Sequence, residues 1–207
     1  MLNALTSVGA FSHILSRWRH RELGGAMQDN KNSNFQGLSY PRQLVGKSLL
    51  LADAQWRPDD SWHVVDYSRT IGRGEDDFAR AVDNLLSWRA HCAACVRVKG
   101  EPEPGETVQL YFGPTVSPCR IISVERSPRR VDLIYGTMHG HIECGEEAFI
   151  IELDSDDEVI GRCVAFSQHS WWLARLFSGP ARIVQRWATK RYVRGMGRDL
   201  ENVVVGC

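Results

Sequence analysis

The sequence has no long apolar run, no excess of either charge and little cysteine, and each shortage excludes a class of protein. The longest uninterrupted apolar stretch is about five residues, Leu49 to Ala52 being typical, against the roughly 18 that a membrane-spanning helix needs. Lys and Arg number 25, as do Asp and Glu, so the formal net charge is zero, which argues against a dedicated nucleic-acid binder. Six cysteines, at positions 92, 95, 119, 144, 163 and 207, are spread over 207 residues. A chain of that length can build a core without disulfide staples, and no secretory signal is legible, so reduced thiols and a cytoplasmic location are expected.

Several chemical signatures are also missing. No Gly-x-Ser-x-Gly elbow occurs, which removes the usual serine-hydrolase pattern. Gly72-Arg73-Gly74 lacks the lysine of a phosphate loop, and the acidic turn 154–158 lacks the glycine and distal glutamate of a calcium loop. Cys92-Ala93-Ala94-Cys95 follows a helical pattern instead of opening one, and no second Cys-x-x-Cys completes a zinc site. No cofactor is expected.

What is present is ordinary globular composition, 43% hydrophobic and 24% charged. Residues 1–37 stand apart as a flexible or amphipathic arm. Phe11, Ile14, Leu15 and Trp18 recur at helical spacing among Arg17, Arg19 and Arg21, a pattern that suits an interfacial helix, a targeting segment or a tail upstream of a start at Met27. A single α+β domain is expected over 38–198, followed by a tail at 199–207. Within it, Trp62 to Ser68 alternates like a strand, and Phe78, Ala81, Val82, Leu85, Leu86 and Trp88 predict a helix over 75–90. From Cys92 the period changes to alternation, and six short strands joined by tight turns read as an antiparallel meander.

The chain closes with helix. Trp171 to Phe177 ends at Gly179-Pro180, and Pro180 is placed to open a last helix. On that helix Ile183, Val184, Trp187, Ala188, Tyr192 and Met196 share an apolar arc, with Arg191 and Arg194 at its edges. A strand, a helix, a long meander and a final helix suggest a curved antiparallel sheet of about six to seven strands around a C-terminal helix. This order resembles the helix-grip architecture of the steroid-transfer and pollen-allergen superfamily, which implies a cavity between sheet and helix.

The most distinctive stretch runs Tyr135-Gly136-Thr137-Met138-His139-Gly140-His141 and then Ile142-Glu143-Cys144-Gly145-Glu146-Glu147-Ala148-Phe149. Together with Leu38-Ser39-Tyr40-Pro41, Ile71-Gly72-Arg73-Gly74 and Ala165-Phe166-Ser167 it resembles the bacterial and plant domain-of-unknown-function family nineteen-ninety. The resemblance spans roughly 38–196 and implies a single domain with a ligand pocket and no established reaction.

Three functional readings follow. The first is a small apolar or amphipathic ligand between sheet and C-terminal helix, lined by Tyr135, Phe149, Ile151, Trp187 and Tyr192. Arg191 or Arg194 and His141 would anchor it, which suits a ligand with one acidic group. The second is an enzyme using His141 with Glu146 or Glu147 as acid and base, since adjacent carboxylates on a strand point to opposite faces. The structural alternative for these groups is a polar network that pins the hairpin, with Arg120 or Tyr135 as partner. The third is a membrane- or partner-docking module through the basic and aromatic segment Trp171 to Phe177. His139 and His141 with Glu146 have a metal-like spacing, but no second half-motif supports them, so no metal is expected.

The zero charge also hides an asymmetry. From Ile142 to Ile160 there are acids and no base, and from Gly161 to Arg198 bases and no acid.

Overall fold

A computed structural model of the chain describes residues 35–169 and 178–197. Among these residues the alternating segments form seven strands: β1 (His63–Arg73), β2 (Arg97–Lys99), β3 (Thr107–Phe112), β4 (Thr115–Ser127), β5 (Arg130–Thr137), β6 (Glu143–Leu153) and β7 (Glu158–His169). They make one antiparallel sheet in the order β1-β7-β6-β5-β4-β3-β2. The helices are α1 (Lys47–Ala52), α2 (Gly74–Leu86), α3 (Arg89–Cys92) and α4 (Ser178–Met196). This is the expected curved α+β helix-grip fold. Register shifts between Thr70 and Gly72 on β1 and between Ile121 and Ser123 on β4 mark bulges, which bend a sheet locally.

The concave face carries the main core. Leu133 and Tyr135 of β5 and Phe149 and Ile151 of β6 are buried against Ala81 and Leu85 of α2, His91 of α3, and Tyr192, Val193 and Met196 of α4. The helices are tied to one another by polar contacts as well. Asn84 Nδ2 donates to the Met196 carbonyl over 2.9 Å, and Arg191 Nε donates to the Ala93 carbonyl over 2.7 Å, so both bonds satisfy carbonyls at helix ends. Gly195 lets α3 and α4 touch, because a Cβ there would lie 2.7 Å from that of Ala93.

Two expectations need correction, and one segment acquires a role. The helix read over 75–90 breaks after Leu86. Trp88 takes a left-handed backbone (φ 64°), and its indole Nε1 donates to the Gly100 carbonyl over 2.8 Å. The break starts α3 on a new axis and buries His91. Secondly, the apolar arc on α4 is turned inward only in part: Ala188, Tyr192 and Met196 face the core, joined by Thr189 and Val193, whereas Ile183, Val184 and Trp187 are exposed. Ile183 is 70% exposed and Trp187 41%. Thirdly, residues 38–58, which carried no assigned role, cover the convex face of the sheet. There Tyr40, Leu51 and Ala52 pack with Ile150, Val164 and Phe166 in a second core, and the Phe166 ring meets Trp56 and Trp62 edge-on, both at 5.3 Å.

Among the described residues the ion pairs of the acidic hairpin come from neighbouring strands and turns and not from α4. Arg130 pairs with Asp132 and Glu152, Arg129 with Asp157, and Arg73 with Glu158. Among the described residues Arg186, Lys190 and Arg194 enter no ion pair; Lys190 instead sits over the Tyr67 ring at 5.8 Å. The arm at 1–34 and the segment Trp171 to Phe177 lie outside the described residues. No helix among the described residues is long and apolar enough to cross a membrane.

Candidate functional site

Strand β6 distributes its acids by simple alternation. Glu143 and Glu147 share the concave face with Phe149 and Ile151, while Cys144, Glu146 and Ile150 share the convex one. The two adjacent glutamates therefore serve opposite sides of the sheet.

On the concave side a cavity of about 300 Å³ lies between the sheet and α4. Val96, Leu110, Tyr135, Ala188 and Tyr192 supply apolar wall, and Glu143 and Glu147 supply the acidic groups. Glu147 keeps part of its surface open, and it is the cavity that reaches it. Its Oε2 accepts from the Tyr135 hydroxyl over 2.7 Å and its Oε1 from the Cys163 thiol over 3.0 Å. Burial raises its pKa, and those two donors oppose the rise. Tyr135 and Cys163 are both held well above their ordinary values, by burial first and by the nearby Glu147 charge second, so each keeps its proton.

The Tyr135 oxygen also lies 3.4 Å from His91 Nε2, extending the chain from carboxylate through phenol to imidazole. His91 is fully buried among Trp88, Tyr135, Phe149 and Tyr192, with ring centroids 4.8 to 5.9 Å away. Burial lowers its pKa to about 3, so the ring is neutral. Because the phenol proton goes to Glu147, the imidazole proton belongs on Nε2, facing the phenol oxygen. Nδ1 is then a buried acceptor without a hydrogen-bond partner.

Glu143 sits toward the mouth, where its Oε2 accepts from Gln185 Nε2 over 3.1 Å. Burial first, and the Glu147 charge second, push its pKa up to about 7, against a lowering hydrogen bond from Ser167. Its backbone N–H donates to His141 Nδ1 over 2.9 Å. His141 lines the cavity, and burial lowers its pKa to about 4, so it too is neutral.

On the convex side Glu146 is saturated. It accepts from the Tyr40 hydroxyl (2.8 Å), the Gly46 N–H (2.8 Å), the Ser48 N–H (2.9 Å) and the Ser48 hydroxyl (2.6 Å). Gly136 stands opposite Glu146 on β5, and a Cβ there would fall 2.3 Å from the Tyr40 oxygen. Ser39 bonds the neighbouring Thr137 through side chain and backbone. The stretches 38–41 and 135–149 thus meet at one clamp that fastens residues 38–48 to the sheet.

The predicted residues separate accordingly. Tyr135, Tyr192, His141 and Glu147 surround the cavity; Glu146 borders it too, with its carboxylate bound on the other side by Tyr40, Gly46 and Ser48. Phe149 and Ile151 lie in the core beneath it, buried on all sides. Trp187 faces outward, with the Arg191 guanidinium 4.7 Å from its ring, and Arg194 is exposed. None of these three lines the cavity, and among the described residues its charged lining groups are carboxylates. Arg120 donates to the Gly105 carbonyl over 2.5 Å and leaves Tyr135 as the glutamate partner. Among the described residues no group of His, Cys, Asp and Glu is arranged to hold a metal ion.

Three residues escaped the sequence reading. Glu143 carried a signal, since it lies four residues before Glu147 and therefore on the same strand face. Gln185 and His91 carried none, for their positions depend on the helix rotation and on the break at Trp88.

Comparison with known proteins gives a consistent picture. A family model described as "Domain of unknown function (DUF1990)" matches residues 45–195. A UPF0548 protein of Arabidopsis thaliana is 24% identical over 161 residues, covering 71% of this chain and 78% of that protein. A UPF0548 protein of Deinococcus radiodurans is 27% identical over 145 residues, covering 62% of this chain and 73% of that protein. The crystal structure of a hypothetical protein from Helicobacter pylori shares the fold, with a TM-score of 0.52 at 11% identity over 69% of this chain and 90% of the other.

Proposed function

This chain belongs to the DUF1990 family, and from that premise we propose that it is a binding domain for a small molecule with a largely apolar body, held between the sheet and α4. The supporting observation is the cavity itself, about 300 Å³ with Tyr135 and Tyr192 in its wall and carboxylates as its polar groups. A volume at the lower end of the range for ligand sites suits a compact molecule. A cytoplasmic location belongs to the same proposal, with Cys119 and Cys163 as isolated thiols inside the core.

The test is native mass spectrometry of protein purified from its own host, beside an Ala188→Phe variant that fills the cavity. The wild type should release a small molecule that the variant lacks. Equal retention by both proteins would overturn the reading.

A second reading is supported by the two carboxylates that share the cavity with raised proton affinity. An enzyme built here would use Glu147 or Glu143 for proton transfer, with His141 at the mouth. Glu146 drops out of that scheme, because its lone pairs are taken by four donors on the other face. His141→Ala would then abolish turnover without loss of thermal stability, whereas a large stability loss would assign His141 to the hairpin.

A further inference from the structure

We infer that the ligand of this cavity is a protonated amine with an apolar body, its ammonium group seated against Glu147 and Glu143. The inference rests on the ligand-binding reading above and names the chemistry of the occupant.

Charge balance is the first argument. Glu147 and Glu143 both line the cavity, and among the described residues no lysine or arginine lines it and neither carboxylate enters an ion pair. The lining imidazole, His141, spends its Nδ1 lone pair on the Glu143 N–H and is neutral. The groups that do touch Glu147, the Tyr135 hydroxyl and the Cys163 thiol, donate hydrogen bonds but carry no charge. A carboxylate that accepts on both oxygens is arranged as an anion, and an anion withdrawn from water without a counter-charge is costly. A cation entering the cavity supplies that counter-charge.

Geometry is the second argument. An ammonium group carries three N–H donors, enough to reach more than one acceptor. Beside the acids stand the rings of Tyr135 and Tyr192, whose faces attract cations. Val96, Leu110 and Ala188 then offer apolar wall for the rest of the molecule. A carboxylate ligand would meet like charge at the same place, so the amine takes the place of the acidic ligand that the sequence suggested.

The experiment is isothermal titration of the full chain with three probes that share one apolar body: phenylbutylamine, phenylbutanol and phenylbutyrate. The amine should bind at least about tenfold more tightly than the alcohol, and the carboxylate most weakly. Glu147→Gln should bring the amine down to the affinity of the alcohol, with a thermal melt confirming that the variant is folded. If that variant does not fold, Glu143→Gln provides the same comparison at the mouth. Equal affinity of amine and alcohol, or tighter binding of the carboxylate, would overturn the inference and leave the binding domain standing. Failure of all three probes to bind would overturn both.

Discussion

Tyr135 and Glu147 face each other across β5 and β6, and the phenol hydroxyl donates to the carboxylate over 2.7 Å. The bond is cross-strand, lies at the wall of the cavity and leads on to a buried imidazole. It joins the stability of the sheet to the chemistry of the cavity.

Tyr135→Phe removes that donor and leaves Glu147 with the Cys163 thiol alone. A hydrogen bond to a charged group contributes about 1.5–3 kcal/mol, so urea denaturation at neutral pH should show a loss in that range. Unchanged stability would mean that the phenol does not hold the carboxylate.

Glu146 and Glu147 should behave differently although they are adjacent. Glu146→Ala strands the donors of Tyr40, Gly46 and Ser48 at a buried site, which should cost about 3 kcal/mol or more. Amine binding by the remaining folded protein should be preserved. Glu147→Gln should do the reverse, with a large loss of amine affinity. Parallel losses in both variants would contradict the division of the two faces.

Gly136→Ala sets a methyl group where the Tyr40 hydroxyl now lies. Tyr40 must withdraw from Glu146, and the combined overpacking and lost bond should lower stability by about 2–4 kcal/mol. A chemical melt indistinguishable from wild type would show that the clamp is loose.

Protonation of Glu143 predicts a slope in stability against pH. Its folded pKa, about 7, lies above its ordinary value of 4.5, so between those pH values the native state holds more protons than the unfolded one. Stability from this group therefore falls as pH rises through that window, by an amount on the order of 1–3 kcal/mol. His141 acts oppositely: its folded pKa of about 4 lies below its ordinary 6.5, so its contribution rises with pH between them. The diagnostic is thus the difference between wild type and Glu143→Gln, which should shrink toward pH 4.5 and grow toward neutrality. A flat difference would refute the shift.

Much of the fold was legible because alternation and helical period record which side of an element is buried. Leu133 and Tyr135 on β5 and Glu147, Phe149 and Ile151 on β6 share the faces their spacing assigns them. The opposed directions of Glu146 and Glu147 were readable for the same reason. The role of residues 38–58 was not, because a short segment that packs on a sheet from outside has no period of its own. Its Tyr40 acquires meaning only beside Gly136 and Glu146, about a hundred residues away in the chain.

The sequence alone determined the order of the strands, their faces and the absence of a net charge, since each depends on local spacing and composition. Tertiary structure decided the character of the site. The packing of α4 on α3, close at Gly195 and Ala93, leaves Arg191 and Arg194 out of the cavity lining and places Gln185 beside Glu143. The left-handed turn at Trp88 brings His91 behind Tyr135. Whether a carboxylate is saturated, as Glu146 is, or faces a cavity with no counter-charge among the described residues, as Glu147 does, depends on groups brought from distant parts of the chain. Long-range packing sets that balance, and no local pattern encodes it.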